Sequence, residues 1–265
     1  MTVAVPVVKM NGTENDFLVV DERATPLADP IAFARRWCER TSGVGADGVL
    51  LVGTSSHDDA RMRVINADGS EAEMCGNGVR CVARYLYETD GGEHKTIETL
   101  AGPIATDVVG TSPDFTVRVA MGRPRVAGIR WLDLADGSRI AYAFVDVGNP
   151  HAVIFVDDPA KVDIETLGRE IETHPVFPHG VNVHFVAIAG PSWLRVRHWE
   201  RGSGATRACG TGAVAAAAAA VVVHQLQSPV AVDVPGGRLS VDWTPGQPAL
   251  LTGNAVRESD RTLEG

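Results

Sequence analysis

The sequence is poor in positive charge and has no long apolar run. It carries 24 basic against 33 acidic side chains, a net charge of −9, and only three of the basic residues are lysines. Because binding to a phosphate backbone needs clustered Lys and Arg, this balance argues against a nucleic-acid partner. The longest apolar run, 213–223, has 11 residues, whereas about 20 are needed to span a bilayer. We therefore expect neither a nucleic-acid partner nor a membrane span.

Cysteine is also scarce. Four cysteines in 265 residues are too few for a disulfide scaffold. The first ten residues, MTVAVPVVKM, lack the charged segment and apolar core of an export signal. We therefore expect free thiols in a reducing cytoplasm. Neither a Cys-x-x-Cys motif nor a His/Cys cluster with the spacing of a metal site occurs, so we expect no metal ion.

An internal repeat decides between one large domain and two small ones, both of which the length allows. The pattern Cys-Gly-x-Gly occurs around Cys75 and again around Cys209, at an offset of 134 residues. The same offset relates Asn15 to Asn149, Asn66 to Glu200, Arg61 to Arg195, Arg63 to Arg197 and Gly102 to Gly236. One register kept over about 90 residues predicts a duplicated unit that brings one cysteine to an equivalent place in each half.

Hydrophobic patterns predict an α+β fold. Short β-branched runs at 17–20, 48–52, 116–119 and 152–156, and alternating segments at 61–65 and 194–199, predict strands. Helices are predicted at 77–88 and 211–225, directly after the two cysteine motifs, with a small outer helix at 165–172. Since 211–225 is apolar nearly all round, it predicts an enclosed helix. We expect two pseudosymmetric lobes, each a curved, mostly antiparallel sheet wrapped round a central helix.

The repeat also predicts where the lobes divide. Residues 1–120 form the N-terminal lobe, completed by 254–265, and residues 121–253 form the C-terminal lobe, with 121–125 as the crossover. The active site is expected in the cleft between the lobes.

The paired cysteines suggest proton-transfer chemistry. A cysteine just ahead of a helix lies in the positive field of the helix dipole, which lowers the pKa of its thiol. Free backbone N–H groups at the helix starts, those of Gly76, Asn77, Gly210 and Thr211, can hold a carboxylate. Two such thiols on opposite faces of an α-carbon are what a two-base racemase needs, one removing the proton and the other returning one.

Other interpretations of the cysteines remain open. Cys38 and Cys81 fit simple packing, since a lone cysteine is most often a small buried hydrophobe. Cys75 and Cys209 could instead form a redox pair. The polar residues favour a substrate site: Glu200 and its neighbour Arg201 precede Cys209 by nine and eight residues, as Asn66 precedes Cys75 by nine. An arginine for a carboxylate and a glutamate for an ammonium would suit an amino-acid end of a substrate.

Several spaced motifs, in order, resemble the diaminopimelate epimerase family over essentially the whole chain. They are Lys9-Met10 with Gly12 and Asn15-Asp16-Phe17, Gly43-Val-Gly-Ala-Asp-Gly, Asn66-Ala-Asp-Gly-Ser, Met74-Cys-Gly-Asn-Gly, Gly148-Asn-Pro-His, Phe177-Pro-His-Gly-Val-Asn, Glu200-Arg-Gly with Gly204, Ala208-Cys-Gly-Thr-Gly and Pro235-Gly-Gly. The resemblance implies a cofactor-independent, two-cysteine epimerase with two pseudosymmetric α+β halves, which interconverts LL- and meso-diaminopimelate in lysine and peptidoglycan precursor synthesis.

The resemblance also implies residue roles. Cys75 and Cys209 would be the catalytic acid and base, and His151 and Glu200 would modulate the thiols. The substrate would be bound by Asn15, Asn66, Gly76, Asn77, Asn149, Asn182, Glu200, Arg201, Gly210 and Thr211. An amino acid is therefore the expected small-molecule partner, without a cofactor, and a homodimer is left open.

Three positions depart from the family pattern. Asn11 stands where histidine is common, Gly48 where some members have a substrate-contacting glutamine, and Ala205 where glutamate is usual. These departures motivate an alternative, the same chemistry on another amino acid. A further alternative, from another class, is a non-catalytic amino-acid-binding protein or redox switch that uses the two thiols.

Overall fold

A computed structural model describes residues 3–265 and divides the chain into two compact units. The first comprises Met1–Val119 together with Gly253–Gly265, and the second comprises Ala120–Thr252. The C-terminal segment thus returns to the first unit. None of the helices described within residues 3–265 is long and apolar enough to cross a membrane.

The first unit is built on a mixed, mostly antiparallel sheet. Its strands are β1 (Ala4–Gly12), β2 (Asn15–Asp21), β3 (Gly48–Gly53), β4 (Ala60–Asn66), β5 (Glu71–Ala72), β6 (His94–Thr99), β7 (Gly102–Gly110), β8 (Thr116–Ala120) and, from the C-terminal segment, β18 (Val256–Glu264). Parallel pairing joins β2 to β3 and β4 to β6. β1 lies between β2 and β18 and pairs antiparallel with both.

Two helices cover the sheet of this unit. α2 (Gly76–Asp90) packs against β1, β2, β3, β4, β6 and β7 and is buried from its first residue through Ala83. It ends at Gly91, whose φ of 71° is the left-handed conformation that glycine adopts without strain. α1 (Pro30–Trp37) contributes Phe33 and Ala34 to a separate apolar cluster with β1 and β2.

The second unit repeats this plan. Its strands are β9 (Arg125–Asp133), β10 (Arg139–Asp146), β11 (Pro150–Phe155), β12 (Asn182–Gly190), β13 (Trp193–Glu200), β14 (Gly204–Thr206), β15 (Val230–Val234), β16 (Gly237–Asp242) and β17 (Leu250–Asn254), which runs across the boundary. β11 and β12 are parallel, as are β13 and β15. A 3₁₀ turn (Pro159–Lys161) and α3 (Ile164–Glu172) lie between β11 and β12.

The central helix of the second unit is α4 (Gly210–His224). Its residues from Ala213 to Ala220 are at most 1% exposed, and the helix contacts strands β9 to β13, β15 and β16. Alanine suits this place because a small side chain lets strands approach closely, and overfilling such a core costs about 1–3 kcal/mol. The predicted α+β class, with a mostly antiparallel sheet around one helix in each half, is confirmed.

The offset of 134 seen in the sequence recurs in the structure. Shifted by 134, the bounds of α2 become those of α4. The parallel pair Phe17 with Gly48 becomes His151 with Asn182, and the antiparallel pair Gly53 with Arg61 becomes Ala187 with Arg195. The two units therefore share strand register as well as element order.

Local details differ from expectation. The helices start one residue earlier than predicted, at Gly76 and Gly210, since each cysteine is the N-cap itself. Gln225 lies outside α4 with a φ of 55°. α1 was not predicted. The repeat does indicate it, because the predicted helix 165–172, shifted back by 134 residues, falls at 31–38, which overlaps α1.

Candidate active site

Cys75 is the N-cap of α2 and carries its thiol at the helix start. Its backbone is extended, with φ −135° and ψ 113°, and its Sγ accepts a hydrogen bond from Gly78 N at 3.4 Å. Helix N-caps of this kind satisfy one of the unpaired N–H groups of the first turn. Gly78 packs closely against the sheet, since a Cβ at that position would lie 2.8 Å from Leu50 Cδ2.

Asparagine side chains surround this thiol. The Cys75 thiol donates to Asn15 Oδ1 at 3.7 Å, and Asn77 Nδ2 donates to the same oxygen at 3.1 Å. Asn15 Nδ2 donates in turn to Asp47 Oδ2 at 2.6 Å. Asn66, the last residue of β4, donates from Nδ2 to Ser70 Oγ at 2.9 Å. Within the first unit, the structure therefore joins Asn15, Asn77 and Cys75 directly.

Arg80, which was not among the predicted site residues, supports the same helix start. Its guanidinium is fully buried and donates to Gly76 O, Asn77 Oδ1, Thr13 Oγ1 and Asn254 O at 2.8–3.1 Å. All four acceptors are neutral groups. A buried arginine with this many hydrogen bonds holds the first turn of α2 to the strand end around residue 13 and to the C-terminal segment.

Cys209 occupies the equivalent place in the second unit. It is the N-cap of α4, with φ −132° and ψ 115°, and its Sγ accepts from Gly212 N at 3.3 Å. The thiol also lies 3.5 Å from Thr211 Oγ1 and hydrogen-bonds to the side chain of Glu200. Thr206 Oγ1 donates to Glu200 Oε1 at 2.6 Å, which holds the carboxyl group in place.

The expected lowering of the thiol pKa is wrong for Cys209. Burial raises the pKa of this thiol well above its ordinary value, and the neighbouring Glu200 raises it further. The hydrogen bonds from Thr211 and Gly212 lower the pKa, but their effect is smaller than that of burial and Glu200. Burial also raises the pKa of Glu200. Loss of solvent and a nearby carboxylate therefore set the direction of the shift at Cys209.

Asn149, Asn182 and Arg201 meet at the ends of β11 and β12. Asn182 donates from Nδ2 to Pro150 O at 3.1 Å and accepts from Arg201 N at 3.1 Å. Arg201 Nη1 donates to His179 O at 3.0 Å. Asn149 Oδ1 lies 2.7 Å from His151 Nε2. The structure therefore collects the predicted polar residues of the second half in one neighbourhood.

Two buried histidines next to His151 were missed. His184 Nε2 lies 2.7 Å from His151 Nδ1, and His184 Nδ1 lies 2.8 Å from His198 Nδ1. The signal was present in β13, where Leu194, Val196 and His198 alternate with exposed or half-buried arginines, so that an alternating strand turns His198 inward. His184 is its direct cross-strand partner. Within residues 3–265, no group of His, Cys, Asp and Glu is arranged to hold a metal ion.

The other two cysteines pack in the core. Cys38 is 1% exposed and Cys81 is fully buried, and burial raises the pKa of each thiol to about 12. Their interpretation as packing residues agrees with this placement. None of the four cysteines forms a disulfide.

Solved structures place this architecture in a known class of fold. The chain matches a phenazine biosynthesis protein of the PhzF family from Bacillus anthracis with a TM-score of 0.75 at 17% identity, covering 98% of this chain and 99% of that one. It matches a hydroxyproline epimerase from Agrobacterium vitis with a TM-score of 0.72 at 18% identity, covering 98% and 92%. The protein therefore shares the fold of these structures.

Sequence comparison narrows the class to a family. The family model for diaminopimelate epimerase matches residues 7–127 and 143–258. A curated diaminopimelate epimerase from Carboxydothermus hydrogenoformans is 44% identical, and the match covers 93% of this chain and 95% of that one. The diaminopimelate epimerase from Phocaeicola vulgatus is also 44% identical, and the match covers 92% of each chain. The chain belongs to the diaminopimelate epimerase family. It is accordingly an epimerase, an enzyme of the isomerase class.

Proposed function

We propose that this protein inverts the α-carbon of LL-2,6-diaminopimelate to give meso-diaminopimelate, for the synthesis of lysine and peptidoglycan precursors. The observation that carries the proposal is the pair of N-cap cysteines, Cys75 and Cys209, in a chain of this family. Both thiols keep the same local geometry, although the polar side chains that contact them differ.

The two thiols transfer protons on opposite faces of one α-carbon. The Cys75 thiolate takes the α-proton, which leaves a carbanion delocalised into the neighbouring carboxylate. The Cys209 thiol then returns a proton to the other face and becomes the thiolate. Cys209 suits the acid role at the start because burial and Glu200 raise the pKa of its thiol. For the reverse reaction the roles exchange, and solvent resets the protonation of both sulfurs after release.

The helix starts stabilise the charge that develops during the reaction. Backbone N–H groups of Gly76 and Asn77, and of Gly210 and Thr211, lie in the first turns of α2 and α4. Such groups, together with the positive end of the helix dipole, favour negative charge on a bound carboxylate. Preorganised donors of this kind are often the largest single contribution to catalysis.

The remaining polar residues bind the substrate in this proposal. Asn15, Asn66, Asn149 and Asn182 offer amide groups, Arg201 offers a cation to the distal carboxylate, and Glu200 offers a carboxylate. In the second unit this set is supported by the bonds among Asn182, Arg201 and Pro150. Glu200 acts on Cys209 as well, while His151 acts through its contact with Asn149.

Among the three departures from the family pattern, Gly48 has a packing reason and Asn11 has a hydrogen-bond partner. Asn11 donates to Glu258 Oε1 at 2.7 Å, and a Cβ at Gly48 would lie 2.7 Å from Ile65 O. Ala205, by contrast, is exposed and pairs with Trp199 in the β13–β14 hairpin. It favours the second candidate function, the same inversion on another amino acid, since a carboxylate usual in the family is missing there.

Proton exchange in deuterated water tests both candidates. The wild-type protein should introduce α-deuterium into diaminopimelate faster than into any other amino acid in a screen, and a Cys75→Ala, Cys209→Ala double variant should not. A Cys38→Ala variant, which loses a packing thiol, is the matched control and should keep exchange. Faster exchange with another amino acid would establish the second candidate. Ligand binding or disulfide formation without any exchange would establish a binding protein or redox switch and refute both.

A further inference from the structure

Three buried imidazoles form a continuous hydrogen-bonded chain in the second unit. From one end, Asn149 Oδ1 lies 2.7 Å from His151 Nε2, His151 Nδ1 lies 2.7 Å from His184 Nε2, and His184 Nδ1 lies 2.8 Å from His198 Nδ1. The three rings are at most 1% exposed. We call these three residues the histidine ladder.

The ladder is uncharged. Burial lowers the pKa of His151 and of His198 to about 3, and lowers that of His184 well below its ordinary value. The neighbouring charge of Arg201 acts in the same direction on His151. Each ring therefore carries one N–H at neutral pH, which serves as donor in one bond and leaves the other nitrogen as an acceptor.

The His198 end of the ladder determines which ring nitrogens donate and which accept. Nε2 of His198 has no hydrogen-bond partner among the described residues, although it is buried. An unpaired N–H costs more in the interior than an unpaired lone pair, because buried N–H groups are almost always satisfied. His198 therefore carries its proton on Nδ1 and donates to His184 Nδ1. His184 then donates from Nε2 to His151, and His151 donates from Nε2 to Asn149 Oδ1.

The other end of the ladder agrees with this direction. Asn149 presents its oxygen, an acceptor, to His151 Nε2. This leaves both hydrogens of Asn149 Nδ2 turned away from His151, on a side chain that is half-buried. An amide held in this way offers its N–H donors to a carboxylate, while its oxygen is engaged by His151.

The ladder also lies behind the start of α4. A Cβ at Gly212 would lie 2.5 Å from His184 Cε1 and 3.0 Å from His198 Nδ1. Gly212 N is the donor to the thiol of Cys209. Two rings of the ladder thus pack against the residue that caps the sulfur.

We propose that His184 and His198 are positioning residues that hold His151 in its Nε2–H tautomer and so aim the Asn149 amide donors at a substrate carboxylate. This rests on the proposed function only in taking Asn149 as a substrate contact. His184 and His198 act through His151 and touch no substrate. If the ladder is broken, His151 populates both tautomers, and the side-chain amide of Asn149 can rotate so that its oxygen and nitrogen exchange places.

Nitrogen NMR of the free protein tests the direction of the ladder without substrate. In protein labelled with ¹⁵N-histidine at pH 7, each ring shows which nitrogen carries the proton, and single substitutions assign the signals. We expect Nε2–H for His151 and His184 and Nδ1–H for His198. A protonated Nδ1 on His151, or a charged ring, overturns the proposal.

A matched pair of variants tests the positioning role. His198→Phe removes the first donor, whereas His198→Asn keeps an amide donor near the position of Nδ1. With His198→Phe we expect mixed tautomers at His151 and a KM for diaminopimelate about tenfold higher, with kcat changed much less, because one hydrogen bond to a charged group is lost. With His198→Asn we expect both readouts to return toward wild type.

Val196→Ala is the control for lost packing, since Val196 is buried on the same strand and faces the same side. It should lower stability without changing the tautomer of His151 or KM. If His198→Phe leaves KM unchanged while the tautomers mix, or if Val196→Ala raises KM equally, the positioning role is refuted. Absence of any turnover by the wild-type protein refutes the proposed function instead and leaves the NMR result standing on its own.

Discussion

Cys75 and Cys209 cap their helices in nearly the same way, with φ and ψ of −135° and 113° at one and −132° and 115° at the other. Each sulfur accepts an N–H from the residue three positions on, at 3.4 and 3.3 Å. Their neighbours differ, however. A buried arginine supports the helix start at Cys75, whereas a glutamate bonds to Cys209.

Each thiol is expected to be indispensable for inversion. In Cys75→Ala or Cys209→Ala one face of the α-carbon lacks its proton carrier, so kcat for inversion should fall by about 10²–10⁴-fold. The interconversion of stereoisomers, followed by chiral chromatography, measures this. Cys81→Ala removes a buried thiol elsewhere and serves as the control. Inversion at more than a tenth of the wild-type rate in either single variant would contradict the two-thiol mechanism.

Removing the charge of Glu200 should make Cys209 more acidic. Because the carboxylate raises the pKa of this thiol, we expect Glu200→Gln to lower that pKa. Thiolate absorbance titrated in a Cys38→Ala, Cys75→Ala, Cys81→Ala background measures it, because Cys209 is then the only thiol in the chain.

Glu165→Gln, an exposed change on α3, is the matched control for this titration. This variant should titrate Cys209 with the same midpoint as the protein that carries Glu165. A midpoint that stays in place, or rises, in Glu200→Gln would show that burial alone accounts for the raised pKa.

Arg80 is expected to contribute strongly to the stability of the first unit. Arg80→Met removes a buried donor to four acceptors and leaves several of them unpaired, so the free energy of unfolding should fall by about 3 kcal/mol. Arg80→Lys should not restore it, because an ammonium cannot reach four acceptors in a fixed plane. Urea denaturation measures both, with Arg61→Met, an exposed change, as control. Full stability in Arg80→Lys would refute this role.

The histidine ladder should make the protein acid-labile. Its rings have pKa values far below the ordinary 6.5, about 3 for His151 and His198, so the unfolded chain binds protons that the folded chain does not. Stability is therefore full above about pH 6.5 and is lost as pH falls toward about 3. Each ring contributes a slope of about 1.4 kcal/mol per pH unit in that window.

Urea unfolding at several pH values between 6 and 4.5 measures this slope. His198→Asn should reduce it by about 1.4 kcal/mol per pH unit, while contributions from carboxylates cancel in the difference. His57→Asn removes an exposed histidine for comparison. An unchanged slope in His198→Asn would mean that His198 is charged in the folded protein.

Local patterns in the sequence were enough to predict much of the fold. The alternation of 61–65 and 194–199 and the apolar run after Cys209 correspond to β4, β13 and α4. These patterns work because strand and helix periods are properties of short segments. α1 was missed although its segment carries local helix signals, since Asp29 caps its start, Pro30 is its first residue, and Phe33 and Ala34 are its buried face.

The sequence by itself determined that the chain is a duplication, that each half carries a cysteine at a helix start, and that the family is that of the diaminopimelate epimerases. Only the tertiary structure decided which polar groups meet. Arg80 finds acceptors at residues 13, 76, 77 and 254, and the ladder draws its rings from three strands. The raised pKa of Cys209 has the same origin, because desolvation and neighbouring charge depend on packing between distant segments, which local sequence patterns do not encode.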